Sequence, residues 1–82
     1  MTKEEFKNES NIKFIDISSE SSRIYYLNDG SELFIDEPFY LNVSTSGGHR
    51  IIGKSGICHY IYGDSIKRIT WIPWPDAPHF VK

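Results

Sequence analysis

The chain of 82 residues contains a single cysteine, Cys58, and it has no long apolar run. One cysteine excludes an internal disulfide framework and is typical of a reducing compartment, so we expect a cytoplasmic protein. A membrane span needs about 20 consecutive apolar residues, and the runs here are far shorter. The charged start, residues 1–7, does not resemble a signal peptide. We therefore expect neither a membrane protein nor a secreted disulfide-rich domain.

A strong excess of one charge is also lacking, because nine Lys and Arg are balanced by eleven Asp and Glu. The isoelectric point near 5.8 argues against a dedicated nucleic-acid-binding domain, whose pI usually exceeds about 9. The charges are nevertheless unevenly distributed, with a net −5 over residues 1–37 and a net +3 over residues 38–82. This asymmetry indicates an interaction face, unless strands from the two halves interleave and mix the charges in space.

Aromatic residues are abundant, at 15% of the chain, and large rings help a short domain to bury enough apolar surface. Short alternating segments are separated by turn signals at intervals of about 8–12 residues. The strands expected from this pattern are 12–17, 23–27, 32–36, 39–44, 50–52, 57–62 and 66–72. The spacing predicts an all-β fold, a single small antiparallel meander of about 5–7 short strands that closes into a barrel or a sandwich.

The first residues differ from the rest, because residues 1–11 contain mainly charged residues, Asn and Ser, with Phe6 as an apolar anchor. Thr2 and Glu5 have the spacing of a capping box. We expect an N-terminal arm over residues 1–11, flexible or with one helical turn, and a single β domain over residues 12–82. Within that domain, Asn28-Asp-Gly30 predicts a hairpin with a type I′ turn, in which Asp and Gly supply the two positive φ angles.

The residues that could bind a metal or support catalysis are His49, Cys58, His59 and His79. Adjacent strand residues face opposite sides of a sheet, so Cys58 and His59 do not both face one ion. Their spacing also matches no short zinc-binding pattern, and no helix N-terminus is available to activate the thiol. We expect no metal site, no cofactor and no enzymatic activity. Whether the four side chains converge in space is left open.

Surplus aromatic residues predict a protein-binding surface. The rings that suffice for a core of this size are Phe14, Phe39, Trp71 and either Tyr25 or Phe34. Trp, Tyr and Arg dominate interface hot spots, so the remaining rings are candidates for contact with a partner. The predicted contact residues are Trp74, Tyr60, Tyr62, Arg50 and His49. The sequence therefore favours a non-enzymatic module that binds a protein stoichiometrically.

Two other kinds of partner are alternatives. A small β-barrel can bind single-stranded nucleic acid by stacking bases on exposed rings beside cations. The cations predicted for that role are Arg50, Lys54, Lys67 and Arg68. A homodimer is the other possibility, because an unpaired edge strand can pair with a second copy.

Three segments resemble those of small phage- or prophage-encoded accessory proteins: the tight hairpin over residues 25–36, Leu41-Asn-Val-Ser with Ser46-Gly-Gly-His-Arg-Ile, and the strand-like end Pro78-His-Phe-Val-Lys82. The resemblance extends loosely over residues 23–82 and includes no catalytic motif. It implies a compact β domain that acts by contact with a phage or host macromolecule, without chemistry of its own.

Overall fold

The computed structural model describes residues 2–10 and 14–75, which form one short helix and seven strands. The elements are α1 (Lys3–Ser10), β1 (Ile15–Asp16), β2 (Glu20–Leu27), β3 (Glu32–Asp36), β4 (Pro38–Val43), β5 (His49–Gly53), β6 (Cys58–Ile61) and β7 (Ile66–Pro73). All strand pairs are antiparallel, in a first sheet of order β1-β4-β5-β6 and a second of order β3-β2-β7. The all-β prediction is confirmed, and its form is an open sandwich instead of a closed barrel.

Three of the hairpins are closed by the same kind of three-residue loop, a type I turn followed by a left-handed glycine. Gly30, Gly47 and Gly56 occupy the last loop position, with φ angles of 91°, 88° and 78°. The amide of each glycine donates to the carbonyl three residues before it. The predicted type I′ turn is therefore wrong. Asp29 has no positive φ, because this longer loop needs only one left-handed residue.

The chain crosses from the second sheet to the first at Glu37 and Pro38. Glu37 has a φ of 46°, and two hydrogen bonds hold this bend in place. Its amide donates to the carbonyl of Ser21 at 2.9 Å, and its carbonyl accepts from the amide of Lys54 at 3.1 Å. Consecutive strands β3 and β4 therefore belong to different sheets, which makes the meander a sandwich.

The core lies between the two sheets and consists of Ile17, Tyr25, Ile35, Leu41, Ile51 and Ile61. Of the two alternatives for one core ring, Tyr25 is fully buried and Phe34 is 59% exposed. Trp71, which was also expected in the core, is 58% exposed. Phe34 pairs with Ile24 across the outer face of the second sheet, so it points away from the core. Trp71 lies on β7, which has a strand neighbour on one side only within the described chain.

The helix α1 covers the outer face of the first sheet and is anchored by Phe6, which is completely buried. The ring of Phe6 stacks on Tyr40 with 6.4 Å between centroids. The capping box is confirmed, because the amide of Glu5 donates to Thr2 Oγ1 at 3.1 Å and the amide of Thr2 donates to Glu5 Oε1 at 2.8 Å. In the described residues, no helix has the length and apolar character needed to cross a membrane.

Candidate functional site

Two of the predicted contact residues form an exposed aromatic pair on the first sheet. Tyr60 lies in β6, and Tyr62 is the first residue after the end of that strand. Their rings meet edge to face with centroids 5.1 Å apart. Residues two apart in an extended chain point to the same side, which brings both rings together. The chain accommodates Tyr60 because a Cβ at position 48 would collide with its ring, and Gly48 has none. The pair remains accessible, with Tyr60 48% and Tyr62 69% exposed.

Arg50 completes this patch. It is the direct partner of Tyr60 in the β5–β6 ladder, so the two side chains share the outer face of the first sheet. Its guanidinium lies 5.4 Å from the centroid of the buried Phe6 ring, a cation–π distance that positions the charge at the border of α1. We call Arg50, Tyr60 and Tyr62 the aromatic surface.

The other two predicted contact residues lie elsewhere. His49 precedes Arg50 and therefore points into the space between the sheets, where its Nδ1 is 2.8 Å from the hydroxyl of Tyr25. Trp74 is half-buried, and its indole N–H donates to the carbonyl of Ser18 at 3.1 Å. Ser18 belongs to the β1–β2 connection, whereas β6 is at the opposite edge of the first sheet. The structure thus brings together three of the five predicted residues.

Next to His49, a chain of buried polar side chains runs between the sheets. Glu20 and Arg23 are 6% and 8% exposed, and they form a bidentate ion pair with both N–O distances at 2.9 Å. Arg23 also donates through Nη1 to the hydroxyl of Tyr25 at 3.3 Å. Glu20 is not among the residues predicted from the sequence, because the serines around it are typical of a loop. The sequence feature that could have indicated this ion pair is the spacing of Glu20 and Arg23, two opposite charges three residues apart at the start of a strand.

This chain of hydrogen bonds ends at His49. Arg23 only donates, so the hydroxyl of Tyr25 accepts from it. That hydroxyl can in turn donate to Nδ1 of His49, 2.8 Å away, when His49 is neutral with its hydrogen on Nε2. Burial lowers the pKa of His49, and the nearby charge of Arg23 lowers it further. Burial also raises the pKa of Tyr25, which keeps its proton available for this bond.

We expect the protein to lose stability in mildly acidic solution because of His49. Its pKa in the folded chain lies below the ordinary value of 6.5. The unfolded chain therefore binds more protons, and the free energy of unfolding decreases as the pH falls below about 6.5. Urea unfolding at pH values of about 7.5 and 5.5 measures this loss. His49→Gln retains an acceptor for Tyr25 without titrating, so a variant with an undiminished pH effect would contradict the expectation.

The cations predicted for nucleic-acid binding are distributed over separate surfaces. Arg50 lies on the outer face of the first sheet, and Lys54 lies in the β5–β6 loop, with its Nζ 3.0 Å from a carboxylate oxygen of Glu37. Arg68 lies on the second sheet, with its guanidinium 4.2 Å from the ring centroid of Tyr26, and Lys67 is its neighbour in β7. The two outer faces of a sandwich point in opposite directions, so these side chains do not form one basic groove.

Cys58 and His59 face opposite sides of β6, as the alternation requires. Cys58 pairs with Ile52 and His59 with Ile51, and these two partners are themselves adjacent in β5. Over residues 2–10 and 14–75, no group of three or more His, Cys, Asp or Glu side chains is arranged to hold a metal ion. His79, the fourth residue considered for such a site, lies outside the described residues.

A shallow apolar groove of about 340 Å³ opens between β3 and the β5–β6 loop. Phe34 and Ile57 form its walls and His59 also lines it. The cation at its border, Lys54, is within 3.7 Å of Asp36 and 3.0 Å of Glu37, so both acids compensate its charge. The groove offers apolar contact but no paired nucleophile and base.

Comparison with known proteins adds no relative, since no protein-family model matches the chain and no curated protein or solved structure is significantly similar to it.

Proposed function

We propose that this chain is a non-enzymatic protein-interaction module that binds a protein partner through the aromatic surface. The exposed edge-to-face pair of Tyr60 and Tyr62 beside Arg50 carries this proposal. Tyrosine buries a large apolar area at a low cost in side-chain entropy, and its hydroxyl still forms hydrogen bonds at the interface. Arginine adds a planar group that binds carboxylates and carbonyl oxygens.

Pre-organisation also supports the proposal. The rings of Tyr60 and Tyr62 contact each other, Tyr60 lies against Gly48, and Arg50 lies against Phe6. Side chains already held by such contacts lose less entropy on binding than free ones. A partner that packs an apolar side chain against the exposed faces of the two rings fits this surface best.

The resemblance to small phage- or prophage-encoded accessory proteins suggests where the partner is found. On that basis we propose a phage or host macromolecule as the partner and the cytoplasm as the place of the encounter. The single cysteine, Cys58, is compatible with a reducing compartment.

Capture experiments with purified variants test this surface. Tyr62→Ala should reduce the recovery of a specific partner by at least about tenfold, because truncating a hot-spot tyrosine costs about 2 kcal/mol or more. Phe34→Ala is the matched control, since Phe34 is also an exposed ring (59%) but lies on the other sheet. Trp74→Ala should retain binding, because Trp74 is remote from the aromatic surface.

Equal capture of the same proteins by the wild-type chain and Tyr62→Ala would refute the proposed surface, and the absence of any specific partner would refute the proposed function. A salt-sensitive affinity for single-stranded nucleic acid that weakens in Arg50→Gln would favour the alternative function instead.

A further inference from the structure

The strand β7 presents a long free edge, within the described residues, because it pairs with β2 alone. From Arg68 to Ile72 its register with β2 is continuous, without a bulge. On this segment Trp71 and Ile72 are 58% and 47% exposed, and they lie on opposite faces of the sheet. An edge strand of this kind can accept another strand through its backbone.

The backbone groups that face the free edge can be identified from the hydrogen bonds of β2. The carbonyl of Ser21 accepts from the amide of Glu37, and the amide of Leu27 donates to the carbonyl of Ser31, so the odd-numbered residues of β2 direct their backbone groups towards β3. Ser22 therefore faces β7, and its partner Ile72 directs its backbone groups towards β2. Successive residues of a strand direct their N–H and C=O groups to opposite edges. Within the regular segment, Ile69 and Trp71 therefore direct theirs to the free edge.

We propose that two copies of this chain pair through β7, antiparallel, about a twofold axis at Thr70. Ile69 then lies opposite Trp71 of the second copy, and each pair exchanges both N–H···O bonds. With the axis at Ile69 or at Trp71 instead, only one residue pair within the regular segment exchanges such bonds. The register centred on Thr70 thus uses every free backbone group of this segment and joins the two three-stranded sheets into one.

The side chains of β7 are self-complementary in this register. On the inner face Trp71 packs against Ile69 of the second copy, and on the outer face Arg68 packs against Ile72. Thr70 faces its own copy in a non-hydrogen-bonded pair, with about 4.5 Å between the two Cα atoms. The exposed apolar side chains of β7 become covered, and no two like charges face each other.

The other edge strands are less suited to self-pairing. A twofold axis at Phe34 of β3 would set Glu32 opposite Asp36 of the second copy, which is a repulsive pair of like charges. The strand β1 contains two residues and β6 contains four, so each offers few backbone groups. The dimer therefore uses β7 and leaves the aromatic surface, which lies on the other sheet, free for a different partner.

Charged side chains introduced at the twofold axis test the dimer. In analytical ultracentrifugation between about 1 and 100 µM, the wild-type chain should dimerise with rising concentration. Thr70→Lys and Thr70→Glu each place like charges opposite one another and should weaken the dimer by at least about tenfold. An equimolar mixture of the two should associate again, because Lys then faces Glu. Phe34→Lys, with the same charge change at the other edge of the same face, should leave the dimer intact.

A measurement on the wild-type chain accompanies these variants, so that the test does not depend on how well they fold. Hydrogen exchange of the Ile69 and Trp71 amides should slow as the protein concentration rises, while the amide of Thr70, directed towards β2, should not change in the same way. A wild-type chain that stays monomeric over the whole range would overturn the proposal. Full dimerisation of Thr70→Lys, or no association in the mixture, would also overturn it.

Discussion

Replacing Arg23 by methionine should destabilise the protein by about 3–5 kcal/mol, because it leaves the carboxylate of Glu20 buried without its partner. Glu20 and Arg23 are only 6% and 8% exposed, and each carboxylate oxygen of Glu20 accepts a hydrogen bond from Arg23 at 2.9 Å. For a domain of 60–100 residues, a loss of this size lowers the melting temperature by more than about 10 °C. Urea unfolding monitored by circular dichroism measures the change directly.

Two comparison variants separate the loss of a partner from the loss of a charge. The double variant Glu20→Gln with Arg23→Met removes both charges and should recover much of the stability, since the ion pair itself contributes little net free energy. Lys54→Met breaks an exposed ion pair with Glu37 and should cost less than about 1 kcal/mol. An Arg23→Met variant as stable as Lys54→Met would contradict the view that the buried pair must remain complete.

Phe6→Ala should cost about 3–5 kcal/mol and release α1 from the first sheet. The ring of Phe6 is completely buried and stacks on Tyr40, and eight residues are too few for a helix to persist in water by itself. We therefore expect the helical signal to decrease together with the free energy of unfolding. Phe34→Ala removes the same side chain from an exposed position and should cost much less. Similar losses in both variants would show that α1 adds little to the stability.

Local patterns predicted most of the strands and the loops between them. The strand over residues 32–36 begins and ends where it was expected, and Glu37 separates it from the next strand, which begins at Pro38. The start of β2 was missed, because Ser18–Ser22 has the composition of a loop. Residues 20–22 belong to the strand because β7 pairs with Glu20 and Ser22, which are buried, and this is a contact with residues about fifty positions away.

The aromatic surface was predictable in part. Tyr60 and Tyr62 are two residues apart in an extended segment, so their common face follows from the sequence. Arg50 lies beside them because it pairs with Tyr60 across the adjacent strands β5 and β6. His49 and Trp74 were assigned to the same surface by residue type alone. Their neighbours, Tyr25 and Ser18, belong to distant segments that only the packing of the two sheets brings close.

The sequence by itself determined the strands and the glycine-containing loops, because alternation and turn preference depend on residues close together in the chain. The tertiary structure alone decided which rings became the core. Tyr25 and Phe34 lie in strands that pair with each other, yet Tyr25 faces the other sheet and is fully buried, whereas Phe34 is 59% exposed on the outer face. Alternation separates the two faces of a strand, but only the packing of a second layer makes one of them the interior. The position of that layer depends on contacts between distant residues, and these left Trp71 in the last strand of the second sheet that the described residues form.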